Sequence, residues 1–125
     1  MERPDIQPGT VAMAYIQYPN RWDAAGGAGG VHPVIVVSPA VQCERSSCLI
    51  VVPGTSKPRR NRLPTHYEPD PADCCCVVPT CFHCENVTQV DKGAIRQVLG
   101  RVSKLEYMKL QKCLLCAFHL EQTEW

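Results

Sequence analysis

Between Gly9 and Tyr18 apolar side chains fill both alternating sets, Val11, Met13 and Tyr15 on one and Ala12, Ala14 and Ile16 on the other. A period of two with both faces apolar predicts a strand covered on each side. Val34 to Ser38 is a β-branched run opened by Pro33, which predicts a second buried strand. Cys48 to Val52 predicts a third, stopped by Pro53-Gly54. Shorter strands are expected at Thr65 to Glu68, around Cys76 to Val78 and at Cys81 to Val87, with a turn-rich segment at Pro69 to Asp73. Ala24 to Gly30 carries four glycines and is expected to be a loop.

The period changes near the end. Ser103 with Glu106 three residues on is a capping-box signal. Behind it Leu105, Met108, Leu110, Leu114, Ala117, Phe118 and Leu120 recur near helical spacing. One amphipathic helix is predicted from about Lys104 to Glu121, and a shorter helical turn at Lys92 to Leu99, ended by Gly100. Short strands followed by a terminal helix imply a mainly β fold, a small barrel with the helix packed across it.

The 125 residues allow one domain with one core, and no repeat or linker divides them. Charged residues make up 20% of the chain and apolar ones 45%, which argues against disorder. The net charge is only +1, so contact with nucleic acid needs a local basic patch. Met1 to Asp5 lacks the basic start and apolar core of an export signal, and no apolar run is long enough to span a bilayer. Nine cysteines, three of them consecutive at Cys74 to Cys76, are then read as reduced and mostly buried thiols of a cytoplasmic protein.

Three segments in order resemble the MazF/PemK toxins, the ribonuclease half of bacterial toxin–antitoxin pairs. Val31-His32-Pro33-Val34-Ile35-Val36-Val37-Ser38-Pro39 resembles the family's second strand. Val51-Val52-Pro53-Gly54-Thr55-Ser56, with Arg62-Leu63-Pro64-Thr65-His66-Tyr67-Glu68, resembles its third strand, loop and fourth strand. Cys84-Glu85-Asn86-Val87-Thr88-Gln89-Val90-Asp91-Lys92 and Leu99-Gly100-Arg101-Val102-Ser103 resemble the segments that lead into its last helix. The match runs from about Gly9 to Leu120 of a single domain, 1–125. It implies an SH3-like barrel with a C-terminal helix, of the plasmid-toxin type, usually a homodimer, with a protein antitoxin as partner. The implied activity is cleavage of single-stranded RNA such as messenger RNA without a metal or other cofactor: the ribose 2′-hydroxyl attacks the neighbouring phosphate.

That chemistry needs a base, an acid and a group for the charged phosphorane. The family's Arg before the second strand falls on His32, which can move a proton but holds phosphate poorly when neutral. Activity retained with altered pH behaviour and activity lost are both open, as is a His that only ends a strand. Thr55 matches the family's hydroxyl residue at the phosphate, with Ser56 beside it. His83 and Glu85, two apart on an expected strand, should emerge on one face and match an Arg and an Asp that serve as acid and base. Asn86 replaces a family Gln and Thr88 a family Arg. Lys57, Arg59, Arg60 and Arg62 supply phosphate contacts without sequence choice, and Arg21 with Trp22 could add a cation and a stacking surface.

Two other readings compete. Cys81-Phe82-His83-Cys84 and Cys113-Leu114-Leu115-Cys116 have zinc-ligand spacing, so Cys81, Cys84, Cys113 and Cys116 define a zinc-stabilised nucleic-acid-binding module as the rival. Against it, the second pair lies within the expected helix and the first on opposite faces of a strand. A catalytically silent member, keeping the barrel to bind a partner, is the third.

Overall fold

A computed structural model of the chain describes residues 5–17, 30–56, 63–70, 75–76 and 79–120. Among these residues seven strands form one sheet: β1 (Thr10–Ile16), β2 (Gly30–Val36), β3 (Cys48–Thr55), β4 (His66–Tyr67), β5 (Cys81–His83), β6 (Thr88–Asp91) and β7 (Ile95–Arg101). Among the described residues two α-helices accompany them, α1 (Ala40–Arg45) and α2 (Lys104–Ala117). The hydrogen-bonded order is β4-β5-β3-β2-β1-β7, with β6 on β3, and every pairing is antiparallel. The expected mainly β fold with a terminal helix is therefore present, its ladder open between β4 and β7 among the described residues.

The double apolar pattern of the first strands has a direct outcome. Ala12, Ala14, Ile16, Val34, Val36, Leu49 and Val51 enter one core cluster, with Cys43 of α1 and Val90 of β6. Their alternates Val11, Ile35 and Val52 enter a second, with Tyr67, Phe82, Cys84, Val102 and Leu110 of α2. The central sheet is thus covered on both faces, and burial of such side chains contributes about 1.5–3 kcal/mol each.

Several boundaries differ from expectation. Pro53 does not stop β3. The strand pairs β6 over Cys48 to Val51 and β5 from Gly54, so Pro53 falls between partners where no N–H is needed on that edge. Gly54 is required there, because a Cβ would lie 2.8 Å from the Phe82 ring. β2 begins at Gly30, inside the expected loop, and ends at Val36. The expected helical turn at Lys92 to Leu99 is a 3₁₀ turn over Lys92–Ala94 followed by β7, whose ladder with β1 is bulged. Gly100 lies in that strand, where a Cβ would meet Cys75 at 3.1 Å. Cys76 is not in a strand, and Val77 and Val78 lie outside the described residues. α1 and β6 carry too few periodic residues to stand out in the sequence.

α2 starts as its cap predicts, with Ser103 Oγ accepting the Glu106 N–H. It ends at Ala117, short of Glu121. Its buried stripe is also not the expected one. Glu106 and Leu110 are buried, and Cys113, Leu114 and Ala117 are half-buried, while Leu105, Met108, Phe118 and Leu120 are exposed. Glu106 does not reach back to Ser103. Its carboxylate accepts from Tyr67 Oη at 2.7 Å, from the Asp70 N–H at 3.1 Å and from Lys109 Nζ at 2.7 Å. This anion fastens β4 and the residues after it to α2.

Candidate active site at the strand ends

Register alone assembles one end of the sheet. The β2–β3 ladder runs from Val36↔Val51 to Val34↔Pro53, so its open end carries His32 on one strand and Thr55 on the other. Thr55 pairs with Cys81 of β5, and His83, two residues along, pairs with His66 of β4. Residues directly opposite in an antiparallel pair share a face, as do residues two apart. Thr55, Cys81, His83 and His66 therefore stand together on one face. The imidazole of His32 lies back along β2, its Nε2 3.4 Å from where a Gly30 Cβ would be.

The two histidines of the β4–β5 pair stack, ring centroids 4.3 Å apart and planes 18° from parallel, and both are buried. His66 Nδ1 accepts the Leu63 N–H at 3.2 Å, which assigns the ring proton to Nε2. That nitrogen donates to Glu85 Oε2 at 2.9 Å. Burial opposes ionisation of Glu85. Its own backbone N–H and the hydrogen bond from His66 outweigh that and hold the carboxyl below its ordinary range.

The expected His83–Glu85 pairing on one strand face is corrected. β5 ends at His83, and Glu85 lies in a 3₁₀ turn, Cys84–Asn86, which swings it towards His66. Asn86 closes that turn, and Thr88 opens β6 against Val51. His66 is the candidate site residue that sequence reasoning missed. Its place one strand over from His83 could be found only from the register of two short strands. Ser56 is exposed just beyond β3. Arg21, Trp22, Lys57, Arg59, Arg60 and Arg62 lie outside the described residues.

The four-cysteine metal set is also corrected. Cys84 points into the core, where its hydrogen bond with Cys113 and then its burial push the thiol far above its ordinary range. Cys113 Sγ donates to the His66 carbonyl at 3.5 Å. Cys81 lies beside His66 and His83, and those three form the one group of potential metal ligands among the described residues. The thiols are less buried than expected: of the eight described cysteines only Cys43 and Cys84 are fully buried, and none is in a disulfide.

Among the described residues no helix is long and apolar enough to cross a membrane. No curated protein matches the chain. Solved structures do. An endoribonuclease from a Mycobacterial species is similar at 18% identity and a TM-score of 0.72, over 96% of this chain and 97% of that one. A Mycobacterial endoribonuclease in complex with its cognate antitoxin gives 20% and 0.71, over 94% and 98%. A MazE–MazF structure from Deinococcus radiodurans gives 16% and 0.69, over 95% and 100%. At these identities the likeness establishes the fold. The model of the PemK-like, MazF-like toxins of type II toxin–antitoxin systems matches residues 12–118, nearly the whole chain, and the protein belongs to that family.

Proposed function

We propose that this protein is an endoribonuclease toxin that cleaves single-stranded RNA without a metal, by attack of a ribose 2′-hydroxyl on the adjacent phosphate. The observation that carries the proposal is the convergence of Thr55, His83 and the His66–Glu85 pair on one face at the strand ends, next to the end of β2 that bears His32. Glu85, held ionised, accepts the 2′-hydroxyl proton. His83 gives a proton to the departing 5′-oxygen. His32 and Thr55 face the phosphate, and Ser56 and Asn86 border it. His66 positions Glu85 through its Nε2–H and touches no substrate. The basic run Lys57 to Arg62, with Arg21 and Trp22, holds the RNA backbone and a base.

The toxin acts in the cytoplasm as a homodimer, and an acidic segment of a cognate antitoxin covers the groove. Support for an antitoxin partner comes from the similar structures, one of which is an endoribonuclease in complex with its cognate antitoxin and another a MazE–MazF structure. The test is tightly controlled expression in a bacterial host, wild type beside His32→Ala and Thr55→Ala, with total RNA examined for new 5′-hydroxyl ends. Growth arrest with cleavage, abolished by either substitution, is the expected result. Intact RNA and normal growth from folded, soluble wild type would instead favour a silent member that keeps the fold to bind a partner.

A further inference from the structure

Cys81 has no part in the nuclease chemistry, yet it stands with the two histidines that flank that chemistry. We propose that His66, Cys81 and His83 form a binding site for a zinc-class divalent ion, and that occupying it withdraws His83 from proton transfer. The site itself is independent of the nuclease reading; the inhibition rests on it.

The ligand atoms of these three side chains all lie within 4.8 Å of one another. Two residues at i and i+2 on β5, with the residue directly opposite one of them on β4, put three donors over one patch of sheet. Two imidazoles and a thiolate suit zinc and its neighbours and not magnesium or calcium, which take oxygen ligands. Zinc bond lengths imply donor separations of roughly 3.4–3.6 Å, so donors lying within 4.8 Å of one another need to close by at most about 1.4 Å. Glu85, whose Oε2 meets His66 Nε2, is the acidic group nearest to hand for a fourth position that otherwise takes water.

Closure has a definite cost. An ion bound by a ring nitrogen lies in the ring plane, so the near-parallel stack of His66 on His83 must splay. Ligation through His66 Nε2 would send its proton by way of solvent to Nδ1, and ligation through Nδ1 would displace the Leu63 N–H; either way the hydrogen bond from Leu63 ends. The Cys81 thiol loses its proton to solvent, so capture of one ion releases about one proton. The metal-free arrangement is thus the one suited to the nuclease, with His66 on Glu85 and His83 unligated by metal.

The test is titration of reduced, metal-free, full-length protein with Co²⁺, read by absorption and proton release. One equivalent per chain is expected, with a sulfur-to-cobalt charge-transfer band. Cys81→Ser should abolish the band, and His83→Gln should weaken uptake at least about 10-fold. Cys48→Ser, on a thiol at the far end of β3, should change neither. Circular dichroism establishes that each variant is folded, and Cys81→Ala replaces Cys81→Ser if the serine protein is not. Absence of uptake at one equivalent, or uptake indifferent to both Cys81 and His83, overturns the site. With RNA present, one equivalent of Zn²⁺ should slow wild-type cleavage at least about 10-fold and leave Cys81→Ser cleaving. Full occupancy without slowing contradicts the shared use of His83. If the metal-free protein cleaves no RNA, the nuclease proposal fails and the cobalt spectra still decide the site.

Discussion

The centre of the sheet and its β4–β5 margin are built on different principles. In the centre β1, β2 and β3 bury valines, isoleucines and alanines on both faces, and almost any apolar residue of suitable volume satisfies such a site. At the margin His66, His83, Thr80 and Glu106 are buried among the apolar side chains, the two histidines placed by register and His66 and Glu106 held by particular hydrogen bonds. The centre supplies stability. The margin uses that stability to hold an ionised carboxylate and stacked imidazoles where water would otherwise disperse them.

The sharpest way to break this division is to remove the residue that joins the two regions. Phe82 is fully buried between Gly54 and Tyr67, and Phe82→Ala should cost about 3–5 kcal/mol in urea unfolding. A loss of under 1 kcal/mol would mean that the margin is not fastened to the core.

Glu106→Ala should cost less, about 2–4 kcal/mol, because it removes a buried carboxylate that accepts from the Tyr67 hydroxyl and the Asp70 N–H. Glu106→Gln keeps one acceptor oxygen and should recover part of that. Equal losses in the two variants would show that the anion, and not the hydrogen bonds, secures α2.

The mildest perturbation is acid. Lys109 first, then Tyr67 and Asp70 against the opposing effect of burial, hold Glu106 below its ordinary value of 4.5. Glu85 is lowered as well. Groups depressed in the folded state stabilise it fully above the unfolded value and lose that contribution as pH falls through the folded one. Thermal stability should therefore be level in pH above the ordinary carboxylate range and decline below it. In Glu106→Gln the decline should be shallower.

The sequence disclosed the centre far better than the margin, for the same physical reason. Alternating apolar residues in Val11 to Ile16 and Val34 to Val36 report burial directly, and Ser103 with its helix reports a cap. A two-residue strand such as His66–Tyr67 carries no period, so its pairing with His83 is invisible before the chain is folded. The 3₁₀ turn that redirects Glu85 is equally silent, because Cys84, Glu85 and Asn86 continue an apparent strand. Glu106 was legible as a capping residue, yet the fold uses its carboxylate elsewhere. His32 and Thr55 were reached through family resemblance, and register then brings them to one end of the sheet.

The central claim is that the buried polar margin is a catalytic surface. Its most direct test is the rate at which purified protein cleaves a single-stranded RNA, with His83→Ala beside wild type and both shown to be folded. A fall of about 10²–10⁴-fold, with 5′-hydroxyl ends from the wild type, is the predicted result. Cleavage by His83→Ala at the wild-type rate would contradict it.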